Sequence, residues 1–126
     1  MSAAPFENII PVLPVRDLDQ SVEFFRQTLG LELQWRSPKV CCVGKESCSI
    51  MLSQTDDGSK ATVWIGLTDA SLYPRIIDSG ATILQAPTKQ PWAYEMRFAD
   101  PDGNTLWLGT DPTSELPQWD VDDAGR

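Results

Sequence analysis

The sequence predicts an α+β fold: two βαβββ modules pairing into a curved mixed sheet around a cleft, with the helices on the outer face. Three observations carry this reading. The order of strand-like and helix-like segments runs once through about residues 8–54 and again through 61–110. Glycines stand where both helical segments must stop, at Gly30 and Gly80. Within the strands, aliphatic residues alternate with aromatic and polar ones, the period-two pattern of a sheet with two different faces.

The first module opens with an apolar stretch at 9–15, which Pro11 and Pro14 make irregular or confine to an edge. Asp17 or Asp19 caps a helix running to Leu29, with Val22, Phe25 and Leu29 along one side. Three short strands follow, at 31–36, 39–43 and 49–53, the last two joined through Gly44-Lys45-Glu46-Ser47. The polar stretch 55–60 links the modules. In the second module a strand at 61–67 precedes a short helix begun by Asp69 or Ser71, with Pro74 tolerated in its first turn. Strands at 82–84, 95–99 and 105–109 complete the repeat, the last two joined by Asp100-Pro101-Asp102-Gly103. One domain therefore spans residues 1–112, and 113–126 reads as a loose acidic tail holding Asp120, Asp122 and Asp123.

Alternation assigns the faces. Val63, Ile65, Leu67, Met96, Phe98, Leu106, Leu108, Ile50 and Leu52 form the aliphatic side that the helices bury. The other side collects Trp64, Trp107, Met51, Glu95, Arg97, Thr62 and Ser53, and is the candidate cleft.

Composition narrows the function. At 126 residues, 41% hydrophobic and 22% charged, the chain fits one soluble globular domain. No apolar run approaches the roughly 20 residues of a membrane span, and no signal-peptide pattern opens the chain, so the cytoplasm is the expected compartment. Cys41, Cys42 and Cys48 make no disulfide framework and suit a reducing setting. A net charge of −8 disfavours nucleic acid and anionic membrane as partners and favours a cationic ligand. The chain contains no histidine, which removes the usual metal ligand and the usual base near neutral pH.

Certain stretches resemble a known family. Pro14-Val15-Arg16-Asp17-Leu18, Ser21-Val22-Glu23-Phe24-Phe25 and Leu29-Gly30-Leu31 are similar to the opening module of vicinal-oxygen-chelate proteins, the superfamily of glyoxalases, bleomycin-resistance proteins and dioxygenases. Asp100-Pro101-Asp102-Gly103-Asn104 is similar to their closing module. The stretch Gln90-Pro91-Trp92-Ala93-Tyr94-Glu95 resembles bleomycin-resistance proteins more particularly, with Ala93 in place of their usual glycine. The resemblance implies a homodimer with clefts shared across its interface, and a drug-contacting role for Trp92.

Metal enzymes of this superfamily place His or Glu at four strand positions. By the resemblance those positions hold Pro11, Ser53, Thr62 and Trp107 here, which offer neither imidazole nor carboxylate. No metal and no cofactor is therefore expected. Adjacent strand residues point to opposite faces, so at most two of the three cysteines converge. Asp100, Asp102 and Asn104 lack the distal Glu of a calcium loop and read as a turn.

The expected site is thus an aromatic cleft formed by Trp35, Trp64, Trp92 and Trp107 with Ser53, Thr62, Tyr94 and Glu95. Tryptophans stack on flat rings and attract cations, and Glu95 offers a counter-charge. The leading expectation is a metal-free protein that sequesters a flat cationic or aromatic drug, bleomycin-like by the resemblance. One alternative is a metal-independent isomerase or lyase with Glu95 as base and Arg97 stabilising an oxyanion. Another is a protein-contact domain whose exposed aromatics form the patch.

Overall fold

Asp17 sets the first helix: its carboxylate accepts a hydrogen bond from the Gln20 amide, the N-cap bond that relieves an orphan donor. Helix α1 (Leu18–Leu29) ends at Gly30, whose backbone takes the left-handed conformation at φ 73°. Leu18, Phe25 and Leu29 are buried, while Glu23 and Arg26 pair on the solvent side. The computed structural model describes residues 5–111, so the expected tail at 113–126 lies outside the described residues.

The first module contains β1 (Val12–Val15), α1, β2 (Glu32–Arg36), β3 (Val40–Lys45) and β4 (Cys48–Gln54). The second contains β5 (Thr62–Gly66), α2 (Leu72–Asp78), β6 (Thr82–Lys89), β7 (Tyr94–Ala99) and β8 (Thr105–Thr110). The α+β class and the repeated βαβββ order are those predicted. The eight strands are hydrogen-bonded as two mixed sheets of four, β1-β4-β3-β2 and β5-β8-β7-β6, here called sheets A and B. In each sheet the first strand pairs in parallel with the last, and the other pairings are antiparallel.

Prolines sit where missing donors are harmless. Pro14 lies on β1, an edge of sheet A, and Pro74 falls in the first turn of α2. Strand β6 runs five residues beyond the expected stop at Leu84. It is an edge strand, and irregular pairing between Gln85 and Thr88 absorbs Pro87.

One core takes side chains from both sheets and both helices, including Leu13, Val15, Phe25, Leu52, Tyr73, Ile76, Met96, Phe98, Leu106 and Leu108. Phe24 on α1 packs on Phe98 of sheet B with ring centroids 6.0 Å apart. The stretches that carried the family resemblance meet at the junction of the modules. The Arg16 backbone and guanidinium both donate to Asp102, at 3.1 and 2.8 Å. The Asn104 amide donates to the Pro14 carbonyl and accepts from the Ala61 amide, each at 2.8 Å.

Tyr73 anchors α2 to sheet B. Its hydroxyl donates to the Tyr94 carbonyl at 2.7 Å, and burial pushes its pKa above the ordinary 10, with Tyr94 and Glu95 adding to the shift. The folded state therefore keeps the protonated phenol. That contribution is complete below the unfolded value and is lost as pH rises from about 10 through the folded value. Urea unfolding across about pH 9 to about pH 11 should show stability falling, and Tyr73→Phe should flatten the fall while costing about 1 kcal/mol at neutral pH.

Candidate functional site

The sheet faces turned away from the core carry the residues of interest. On sheet B, β5 and β8 place Trp64 directly beside Trp107. The two indoles meet edge to face, centroids 5.2 Å apart at 89°. Trp64 lies across β8 because Gly109 has no side chain there: a Cβ at that position would stand inside contact distance of its ring. Strand β7 adds Glu95 and Arg97, with Arg97 opposite Trp107 in register. The Arg97 guanidinium stacks on the Trp107 ring at 4.3 Å.

Glu95 organises this group. It is only 1% exposed, yet its Oε1 accepts from Trp92 Nε1 at 2.9 Å and from Trp107 Nε1 at 3.1 Å. Its Oε2 lies 3.8 Å from Arg97 Nη2. A buried carboxylate persists when hydrogen bonds and a counter-charge replace its water, and here two indoles and a guanidinium do so. The carboxylate is therefore not offered to a ligand as the sequence suggested. It ties Trp92, which rises from the 90–93 loop and is 60% exposed, to the same carboxylate oxygen as Trp107.

The structure thus brings Trp64, Trp92, Glu95 and Trp107 together, with Thr62 on the same face one register step away. It places Trp35 and Ser53 on sheet A. Trp35, 45% exposed, pairs with Cys42, and a bulge between Leu33 and Trp35 turns its side chain to the face of Met51 and Ser53. Tyr94 belongs to the core: it is 2% exposed, on the side of Met96 and Phe98, with its ring against Tyr73. This corrects its placement among the cleft residues. Trp64 and Trp92 stand on an open face, and a recess of 170 Å³ lies elsewhere, at the module junction, lined by Pro14, Val15, Arg16, Thr55, Gly58, Ser59, Lys60 and Asp102.

Two site residues escaped the sequence-based set. Alternation with Phe98 puts Arg97 on the cleft face, yet the sequence gives it a role only in the enzyme alternative. Gly109 gave its signal only through register, opposite Glu95 and beside Trp64.

The donor set at the superfamily's metal positions does not fit a divalent ion. Pro11 has no side-chain donor, Ser53 and Thr62 offer neutral hydroxyls, and the Trp107 N–H is given to Glu95. Among the described residues no three His, Cys, Asp or Glu side chains converge as a metal site.

Comparison with solved structures finds the same fold. A bleomycin resistance determinant encoded on transposon Tn5 superposes with a TM-score of 0.75 at 23% identity, over 84% of this chain and 98% of its own. TioX from Micromonospora sp. ML1 gives 0.73 at 17%, over 82% and 99%. TnmS3, an antibiotic binding protein from Streptomyces sp. CB03234, gives 0.68 at 21%, over 82% and 96%. No curated protein matches significantly. The family model for the glyoxalase/bleomycin resistance protein/dioxygenase superfamily matches residues 9–108. With that match over most of its length, the chain belongs to this superfamily.

Proposed function

We propose that this chain captures a flat aromatic small molecule on the outer face of sheet B, by stoichiometric binding and without turnover. The observation that carries the reading is the fixed, exposed aromatic group: Trp64 against Trp107, with Trp92 tied in through Glu95. Indoles locked by hydrogen bonds lose little freedom on binding, which favours affinity for a planar partner. The bleomycin resistance determinant and the antibiotic binding protein that share this fold support a drug as the ligand class. A second copy of the chain completes the site in this reading. Exposed Val12, Leu33, Trp35 and Leu84 supply apolar area for such contacts. Three free cysteines suit a cytoplasmic setting, and among the described residues no helix is long and apolar enough to cross a membrane.

The geometry favours capture over catalysis by Glu95. A general base must reach its proton, and this carboxylate is covered, with Oε1 already accepting two N–H bonds. The exposure of Trp64 and Trp92 favours a protein-contact patch as the second reading.

Titration of tryptophan emission with bleomycin, copper-loaded and metal-free, tests the proposal. Saturable quenching at one drug per chain is expected, about 3- to 30-fold weaker in Trp92→Ala. Gly109→Ala, which crowds Trp64, should weaken binding similarly while the protein stays folded. No response at high micromolar drug would contradict the bleomycin assignment. Loss of self-association or partner binding in Trp64→Asp, with no small-molecule response, would support the contact patch.

A further inference from the structure

We infer that, among flat ligands, this face prefers one that carries an ionised acid, a carboxylate or phenolate on its ring system, and that Arg97 sets the preference. This rests on the reading of the outer face of sheet B as a ligand site. In strand register that face presents Thr62, Trp64 and Gly66 from β5 and Thr105, Trp107 and Gly109 from β8. Strand β7 adds Glu95, Arg97 and Ala99, and β6 adds their partners Thr88, Gln85 and Thr82. Two of these residues are charged, and they differ in what they offer. Glu95 is 1% exposed and committed to two indole N–H groups, whereas the Arg97 side chain is 41% exposed.

The contact of Arg97 with Glu95 is 3.8 Å, an ion pair longer than a hydrogen bond, and among the described residues no hydrogen bond ties its guanidinium down. It is nevertheless held over the Trp107 ring, 4.3 Å from the centroid. A guanidinium with donors to spare, one strand beyond Trp107 from the exposed Trp64 indole, matches an extended aromatic acid: the ring lies on Trp64 and the acid takes the fork. A cationic ring in the same place meets Arg97 first, with the compensating carboxylate covered. The chain's net charge of −8 repels anions at long range, so the preference arises at contact and anion capture is faster in added salt.

The test uses three probes of one shape: anthracene carboxylate, anthracene methanol and anthracene methylammonium, titrated against tryptophan emission at fixed ionic strength. Anthracene carboxylate should bind about tenfold tighter than the alcohol, with the ammonium weakest. Arg97→Gln should abolish the preference, so that within the variant the carboxylate binds no tighter than the alcohol. Arg97→Lys, which keeps the charge without the fork, should retain part of the preference and covers the case in which Arg97→Gln folds poorly. Trp64→Ala should weaken all three. Equal binding of the three probes, or tightest binding of the ammonium, overturns the inference and leaves the ligand site standing. Binding of none, together with a dimer that Trp64→Asp converts to monomer, assigns the face to a second copy and overturns both.

Discussion

Replacing Glu95 by alanine should cost about 3–5 kcal/mol of folding stability, the largest effect of any substitution on the sheet faces. The carboxylate is fully covered, and three groups depend on it: the indoles of Trp92 and Trp107 and the guanidinium of Arg97. Alanine leaves Trp107 Nε1 without its acceptor, Arg97 without its counter-charge, and a void between them. Glu95→Gln keeps an amide oxygen for the indoles and should cost much less, about 1–2 kcal/mol, chiefly through the unpaired guanidinium. Urea unfolding measures both. Tryptophan emission of folded Glu95→Ala should also shift to the red as Trp92 is released. A cost within about 0.5 kcal/mol of zero would mean that the carboxylate does not organise the face.

Asn104→Ala should cost about 2–4 kcal/mol for a different reason. Asn104 is fully buried and joins three parts of the chain: it accepts from Ala61, donates to Pro14, and donates to Asp100 Oδ2 at 2.9 Å. The lost bonds strand a buried carboxylate oxygen of Asp100 and two half-buried backbone groups, at Pro14 and Ala61, at the junction of the two modules. Burial holds the Asp100 carboxyl above its usual range while bonds from Asn104 pull it down. Removing the Asn104 side chain should therefore raise it further. A folded pKa above the unfolded one favours the protonated form, so this contribution is present at low pH and is lost as pH rises through the folded value. The variant should regain part of its lost stability in mild acid. A pH-independent cost would contradict this account of the junction.

Much of the fold was legible because it rests on local signals. Asp17 and Gly30 bound the first helix by capping chemistry, and alternation through 95–99 and 105–109 separated core from outer face. Where the reading fell short, tertiary context decided. The expected strand stops at Leu84, yet an edge strand needs no donor at Pro87 and β6 continues to Lys89. Tyr94 lies between Trp92 and Glu95 in sequence, but its parity with Met96 puts it in the core. The state of Glu95 was not legible at all. Its burial depends on the 90–93 loop bringing Trp92 back over β7, and no strand pattern encodes that contact. The bulge in β2 likewise governs where Trp35 points.

In the proposed function, sheet B is the ligand-binding face through Trp64 and Trp107. Its most direct test is the indole N–H region of a proton–nitrogen correlation spectrum, assigned by single tryptophan substitutions and followed during titration with copper-free bleomycin. Saturable shifts of the Trp64, Trp92 and Trp107 resonances with a common midpoint are expected of this binding face. Saturable changes elsewhere with these three unmoved would contradict it.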